Sequence, residues 1–125
     1  MKSEYHFRFE ELQVYQKAIA FGEIVNSLVK KFPRDERFEL TSQFKRASDS
    51  IALNIAEGSS GTDRQFYYYL GNSWHSAEEC VACSTKARLC NYINFEEDEE
   101  VRKNITELSK MITSLRNTIS KRIKK

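Results

Sequence analysis

Apolar residues recur along this chain at alternating threes and fours, in four separate blocks. In the first block Leu12, Tyr15, Ile19, Gly22, Val25, Leu28 or Val29, and Phe32 make one series. That spacing marks an amphipathic helix with a single core-facing side, and it predicts helix one from about Glu10 to Lys31. Pro33 ends it, because the residue before a proline is pushed out of the helical region and the proline has no amide to donate. The run PRDERF can open a short turn, with Pro33 at a first helical position. Helix two follows to about Glu57, with Leu40, Phe44, Ala47, Ile51 and Ile55 as its seam. Gly58 suits the left-handed cap that ends many helices, and Ser59 to Gly61 form the loop.

Thr62 with Gln65 reads as a capping box, each side chain satisfying an amide of the other's neighbourhood. Helix three runs from there to about Cys90, with Phe66, Leu70, Ser73, Ala77, Cys80, Ser84 and Ala87 facing the core. Asn94 with Glu97 repeats the capping logic, and Glu96 to Glu100 sit where the helix dipole favours acids. Helix four has the cleanest period: Val101, Ile105, Leu108, Ile112, Leu115 and Ile119. Only Tyr5, Phe7 and Phe9 alternate like a strand, over a stretch too short to make a sheet. With one proline and four glycines in 125 residues, breakers are few. The expected fold is all-α, an antiparallel up-down-up-down four-helix bundle. Residues 1–125 form one domain, with an N-terminal arm at 1–9 and a basic end at 116–125.

Helix two carries a second pattern beside its seam. On a helical wheel Gln43, Arg46, Ser50, Asn54 and Glu57 fall within roughly 80° of one another, and Leu53 and Ala56 stand on the far side. A polar line flanked by apolar residues is expected to be partly buried, and each buried polar group without a partner costs about 1–3 kcal/mol. Arg46 and Glu57 are three turns apart, too far to pair on their own helix. Helix three offers Ser76 and Glu79, three residues apart on one face. Two readings stand. One is a structural network, with Arg46 joined to Glu79 and Ser50 and Asn54 bridging. The other is a ligand or nucleic-acid contact.

Composition adds a charge asymmetry. The formal net charge is only +2, yet residues 101–125 hold eight Lys or Arg against Glu107 alone. Lys110, Arg116, Lys121, Arg122, Lys124 and Lys125 are therefore candidate phosphate contacts. The alternative is that these cations merely offset the helix dipole. Hydrophobic residues at 40% and charged residues at 30% fit a soluble globular chain. No apolar run approaches a membrane span, and the N-terminal residues lack the pattern of a secretory signal. Three cysteines do not make a disulfide framework, so a cytoplasmic, reduced protein is expected.

Tyr67, Tyr68 and Tyr69 are consecutive on helix three, so they splay around it and cannot share one buried face. With Trp74 they are expected outside the monomer core, as a subunit interface together with Leu53 and Ala56, or as base-stacking rings. Cys80 and Cys83 make a lone CxxC without further zinc ligands, and core packing is its simpler reading. His6 and His75 form no recognisable metal set or acid–base pair. No phosphate loop, nucleophile motif or di-iron Glu-x-x-His pair occurs. No catalysis, metal or cofactor is expected.

The run FPRDERFELTSQFKRASDSIALNIAEG, with FEELQVYQKAI before it and Ser76 and Glu79 after it, resembles a bacterial four-helix bundle family. Its members include proteins encoded by intervening sequences within large-subunit ribosomal RNA genes. Gln43, Arg46, Ser50, Asn54, Ala56, Glu57 and Gly58 match its pattern position by position, whereas His75 stands where that pattern has a glycine. The resemblance implies a four-helix bundle assembled into a homopentamer. Related accessory proteins of diversity-generating retroelements associate with a reverse transcriptase and nucleic acid. A non-catalytic homo-oligomeric adaptor, with RNA, DNA or a reverse transcriptase as partner, is the expected function. Two others stand beside it: a structural or regulatory protein–protein scaffold, and a small-molecule or metal-binding bundle with a pocket at Arg46, Glu57, Glu79 and His75.

Overall fold

A computed structural model describes residues 2–124. Four long helices account for most of them: α1 (Gln13–Val29), α2 (Leu40–Ser59), α3 (Asp63–Leu89) and α4 (Phe95–Ile123). Short 3-10 turns at Arg8–Glu11 and Arg34–Glu36 precede α1 and α2, and no strand occurs among the described residues. The helices pack as an up-down-up-down bundle, in which α2 lies most extensively on α3 and, of the four neighbouring pairs, α1 and α4 touch least. One end of the bundle therefore gathers the α1–α2 and α3–α4 connections. The opposite end gathers the arm, the α2–α3 loop and the end of α4.

The helix starts follow the local chemistry. The Gln65 amide donates to the Thr62 hydroxyl while the Gln65 side chain accepts from the Thr62 amide. Asn94 and Glu97 make the same reciprocal pair at the start of α4. The left-handed cap expected at Gly58 falls elsewhere. Gly58 is buried within α2, and no described glycine has positive φ. Asn91 takes that conformation instead, at φ 62°. There the Tyr92 amide reaches the Ala87 carbonyl and closes α3 in a Schellman turn. Gly58 is small for another reason: a Cβ on it would sit 2.6 Å from the Tyr69 Cβ. The glycine lets α2 and α3 approach closely.

Leu40, Phe44, Ala47, Ile51 and Ile55 are buried as the seam of α2 predicts. The α4 series is buried too, apart from the half-buried Leu115. On α3, Leu70, Ser73, Ala77, Cys80, Ser84 and Ala87 face inward, joined by Cys83, while Phe66 is half-buried. On α1 the expected face is displaced. Val14, Ala18, Phe21, Val25, Leu28 and Val29 are buried, Leu12 and Tyr15 are half-buried, and Ile19 is 46% exposed. Two overlapping three-four series share Gly22, Val25 and Leu28. Turning the bulky Phe21 ring inward removes the larger apolar area from water, so that series takes the core.

The most elaborate buried polar group is Asp98, 1% exposed near the start of α4. It accepts from the Ser84 hydroxyl at 2.7 Å and faces the Nε of both Arg88 (3.1 Å) and Arg102 (3.0 Å). A carboxylate this deep needs that much compensation. The three partners lock the lower part of the α3–α4 hairpin.

Candidate functional site

The polar line of α2 lies at the surface. Gln43, Arg46 and Glu57 are exposed, and Ser50 and Asn54 are half-buried. The expected network across to α3 does not form. Among the described residues Arg46 and Glu79 take part in no ion pair. Asn54 turns to the Ser50 carbonyl of its own helix at 2.7 Å, and Glu57 accepts from the Tyr69 hydroxyl at 3.3 Å. Solvated ends of long side chains gain little from pairing, and the seam of α2 already fixes its packing on α3. Ser76 is half-buried, Glu79 is exposed, and the His75 ring stands in solvent edge-on to Trp74, so the departure from glycine leaves the packing intact.

The aromatic run on α3 divides. Tyr67 and Trp74 pack against the core after all, because a ring can cover the seam from its margin without full burial. The Arg116 guanidinium lies 4.0 Å over the Tyr67 ring. Tyr69 is half-buried, and only Tyr68, 64% exposed, stands clear. Leu53 is exposed at the α1–α2 groove, and Ala56 is half-buried. Cys80 and Cys83 are buried; burial pushes both thiols up, Cys83 to about 11, the unreactive state of packed cysteines.

Basic side chains of α4 fall into two groups. Arg116 donates from Nε to the Tyr67 carbonyl at 3.2 Å and lies against Gly71. Arg122 makes a two-pronged pair with Asp63, at 3.3 and 3.0 Å. These two expected phosphate contacts are held by the bundle itself. Lys110, Lys121 and Lys124 are exposed and form no ion pair among the described residues. Lys125 lies outside the described residues.

A helical wheel adds a member that the search at the chain's end misses. Lys103, Lys110, Ser114, Asn117, Lys121 and Lys124 share an arc of roughly 100°, directly opposite Val101, Ile105, Leu108, Ile112 and Ile119. The stripe runs about 32 Å along the helix. Its one acid, Glu107, is bound by Lys17 of α1, which with the nearby Lys103 and Lys110 holds its carboxyl below the usual range. The arrangement offers a straight row of ammonium groups with hydroxyl and amide donors between them.

Two cavities lie between α1 and α2 and between α1 and α4, the second walled in part by Lys110 and Ser114, and neither is lined by Arg46, Glu57, His75 or Glu79. No group of three or more His, Cys, Asp or Glu side chains converges as a metal site among the described residues. Among the described residues no helix is long and apolar enough to cross a membrane.

Fold and surface thus define an all-α bundle of four antiparallel helices with a polar line on one helix and a lysine row on another. Residues 10–114 match the family described as 23S rRNA-intervening sequence protein, and the chain belongs to that family. A crystal structure of a protein with unknown function from the S23 ribosomal protein family of Bacteroides thetaiotaomicron superposes with a TM-score of 0.75. That likeness spans 82% of this chain and 96% of the other at 24% identity, which speaks for the fold. No curated protein matches the chain. Neither family nor neighbour points to a catalytic class.

Proposed function

We propose that this chain is a non-catalytic cytoplasmic adaptor that self-associates, as a pentamer, and binds a nucleic-acid backbone lengthwise along α4. The observation that carries this reading is the lysine row on the outer face of α4, set opposite the core and in no ion pair among the described residues. Phosphate binding needs cations in a line and releases counterions as it forms. Repetition of the row around an assembly makes a strong field from chains that are each nearly neutral. The neighbour's place in a ribosomal protein family supports RNA as the first ligand to try, and a polymerase such as a reverse transcriptase is a further partner to test.

Binding to structured RNA and duplex DNA is measured across a salt series, with mass measured on the same sample. Replacing Lys103, Lys110, Lys121 and Lys124 by Ala is expected to abolish tight binding and flatten the salt dependence. Absence of binding by the unmodified protein at low salt overturns the reading. A protein–protein scaffold then takes its place, a reading favoured by the Arg122–Asp63 pair, which spends one cation of the basic end internally.

A further inference from the structure

Two features near the start of α1 stay largely exposed in the folded chain, although the Phe7 ring stacks on Phe9 at 6.0 Å, and their chemistries are complementary. The first is the arm. Tyr5 is 77% exposed and Phe7 60% exposed, and they alternate with His6 and Arg8. Drawn out as a strand, the arm carries Tyr5 and Phe7 on one edge and Lys2, Glu4, His6 and Arg8 on the other, three basic side chains against one acid. The second is a groove of about 270 Å³ between α1 and α2. Tyr15, Ile19 and Leu53 wall it, Gly22 leaves its floor open, and Glu23 and Asp49 stand along it. Ile19 and Leu53 are large, apolar and exposed. Neither carboxylate belongs to an ion pair among the described residues.

The occupant must bring apolar surface and positive charge together. A second copy's groove placed face to face brings Glu23 and Asp49 against their own like charges, which costs energy and suppresses that pairing. The lysine row of α4 supplies cations without apolar rings. The arm supplies both; its residues 2–7 bend at Glu4 and Tyr5 in the free chain and, drawn out, span at most about 20 Å at 3.3 Å per residue, against a groove of about 12 Å from Tyr15 to Glu23. Tyr15 already takes the chain's own Phe9 edge-on, with ring centroids 5.0 Å apart, so the groove mouth accepts aromatic rings. The chain's own Tyr5 and Phe7 do not line the groove. A 3-10 turn at Arg8–Glu11, closed by the Phe7 amide on the Glu10 carboxylate and flanked by His6 near Glu11, holds them out in solvent.

We propose that the N-terminal arm of one copy lies in the α1–α2 groove of a second copy, with Phe7 and Tyr5 on Ile19 and Leu53 above Gly22 and Arg8 facing Asp49. The inference rests on the self-association proposed above and is independent of polyanion binding. It makes each copy's groove complete only in the assembly.

The full-length chain tests it by cross-linking. One preparation carries Phe7→Cys and an isotopically labelled second carries Leu53→Cys, both with the exposed Cys90 replaced by Ser. After mixing and mild oxidation, a disulfide peptide joining positions 7 and 53 across labelled and unlabelled copies is expected. A 7–53 disulfide formed only within single chains of the double-cysteine protein overturns the proposal in favour of a folded-back arm. No such peptide from a protein that still sediments as an oligomer overturns the arm alone. A monomeric mass removes the arm and the self-association reading together. As a second readout, Arg8→Glu is expected to weaken self-association at least tenfold and Asp49→Arg to restore it in the same chain. Failure of that rescue, with both variants folded, also counts against the contact.

Discussion

The two ends of the bundle are held together by different means. The end that gathers the α1–α2 and α3–α4 connections ties a set of its charges into the bundle. Asp98 holds Arg88 and Arg102, Lys31 binds Glu97, and the Tyr92 hydroxyl donates to Glu36 at 2.8 Å across 56 residues. Phe32 bridges this clamp to the core by packing against both Tyr92 and Phe44. The other end relies on close backbone approach at Gly58 and turns its charge outward, toward Lys121, Lys124 and the arm. The difference teaches where this fold can carry a binding surface. Polar groups committed to register cannot also meet a partner; Lys121 and Lys124 stay uncommitted among the described residues at this end, and only Lys30, Arg34 and Arg37 do so around the α1–α2 connection.

The comparison breaks most sharply at Asp98. Its replacement by Ala leaves the buried Ser84 hydroxyl without an acceptor and two guanidinium groups without their carboxylate. Removing one member of a buried ion set typically costs 3–5 kcal/mol, and with both arginines about a third exposed the loss expected here is about 3 kcal/mol. Urea unfolding reads it directly. Asp98→Asn keeps an acceptor for Ser84 and is expected to cost less. Equal losses from the two variants would mean that the carboxylate charge accounts for the whole effect and the Ser84 hydrogen bond adds nothing to it.

Gly58→Ala strikes the other end by steric means alone. The new methyl group would meet the Tyr69 Cβ at 2.6 Å and the Phe66 ring at 3.1 Å. Overpacking of this kind costs about 1–3 kcal/mol, against the gain in helix propensity that Ala normally brings. A stabilised Gly58→Ala protein would show that α2 and α3 can separate freely there, and that the close approach is not required.

How much of this was open to inspection in the sequence depends on the range of each interaction. The capping boxes at Thr62 and Asn94 are local and read directly, as are the seams of α2 and α4. The face of α1 was ambiguous because two apolar series overlap, and only packing chooses between them. Gly58 was noticed for conformational freedom, but its role comes from Tyr69, eleven residues on and across a helix interface. The α2 line was expected to tie two helices together; Asn54 turns to its own helix, Gln43 and Arg46 face solvent, and only Glu57 reaches α3, through Tyr69 rather than Ser76 or Glu79. Arg122 and Asp63 lie 59 residues apart, so no local pattern reveals that this cation is already spent. Lys103 was legible on the α4 wheel, yet attention to the chain's end left it out.

A tyrosine–carboxylate bond recurs at both ends and allows a smaller, finer comparison. The hydrogen bond to Glu36 pushes the Tyr92 hydroxyl up to about 12. Tyr69 is raised by the charge of Glu57 across a longer 3.3 Å contact. A hydroxyl whose pKa is raised by folding stabilises fully below its unfolded value of about 10. That contribution disappears as pH rises through about 12 for Tyr92. The stability gap between the native chain and Tyr92→Phe is thus expected to be constant at neutral pH and to close in that alkaline window. In an ultraviolet titration Tyr92→Phe should lose the latest-ionising tyrosine, whereas Tyr69→Phe should keep it.

The smallest effect on stability is expected at Arg122, and it sharpens the contrast most directly. Both partners of the Arg122–Asp63 pair are about half exposed, and such pairs contribute roughly 0–1 kcal/mol. Arg122→Ala should therefore move the unfolding midpoint barely at all. Its effect on polyanion binding should also be slight, because Asp63 already neutralises the side chain, while Lys121→Ala should lower the salt slope by about one. Asp63→Ala reverses the sign: it releases Arg122 beside Lys121 and Lys124, and binding should tighten and become more salt-dependent. If Asp63→Ala leaves binding unchanged while Lys121→Ala weakens it, the polyanion follows the lysine row without reaching the Arg122 side of α4. If both leave it unchanged, the outward charge of this end has no polyanion to serve, and the contrast between the two ends is one of stability alone.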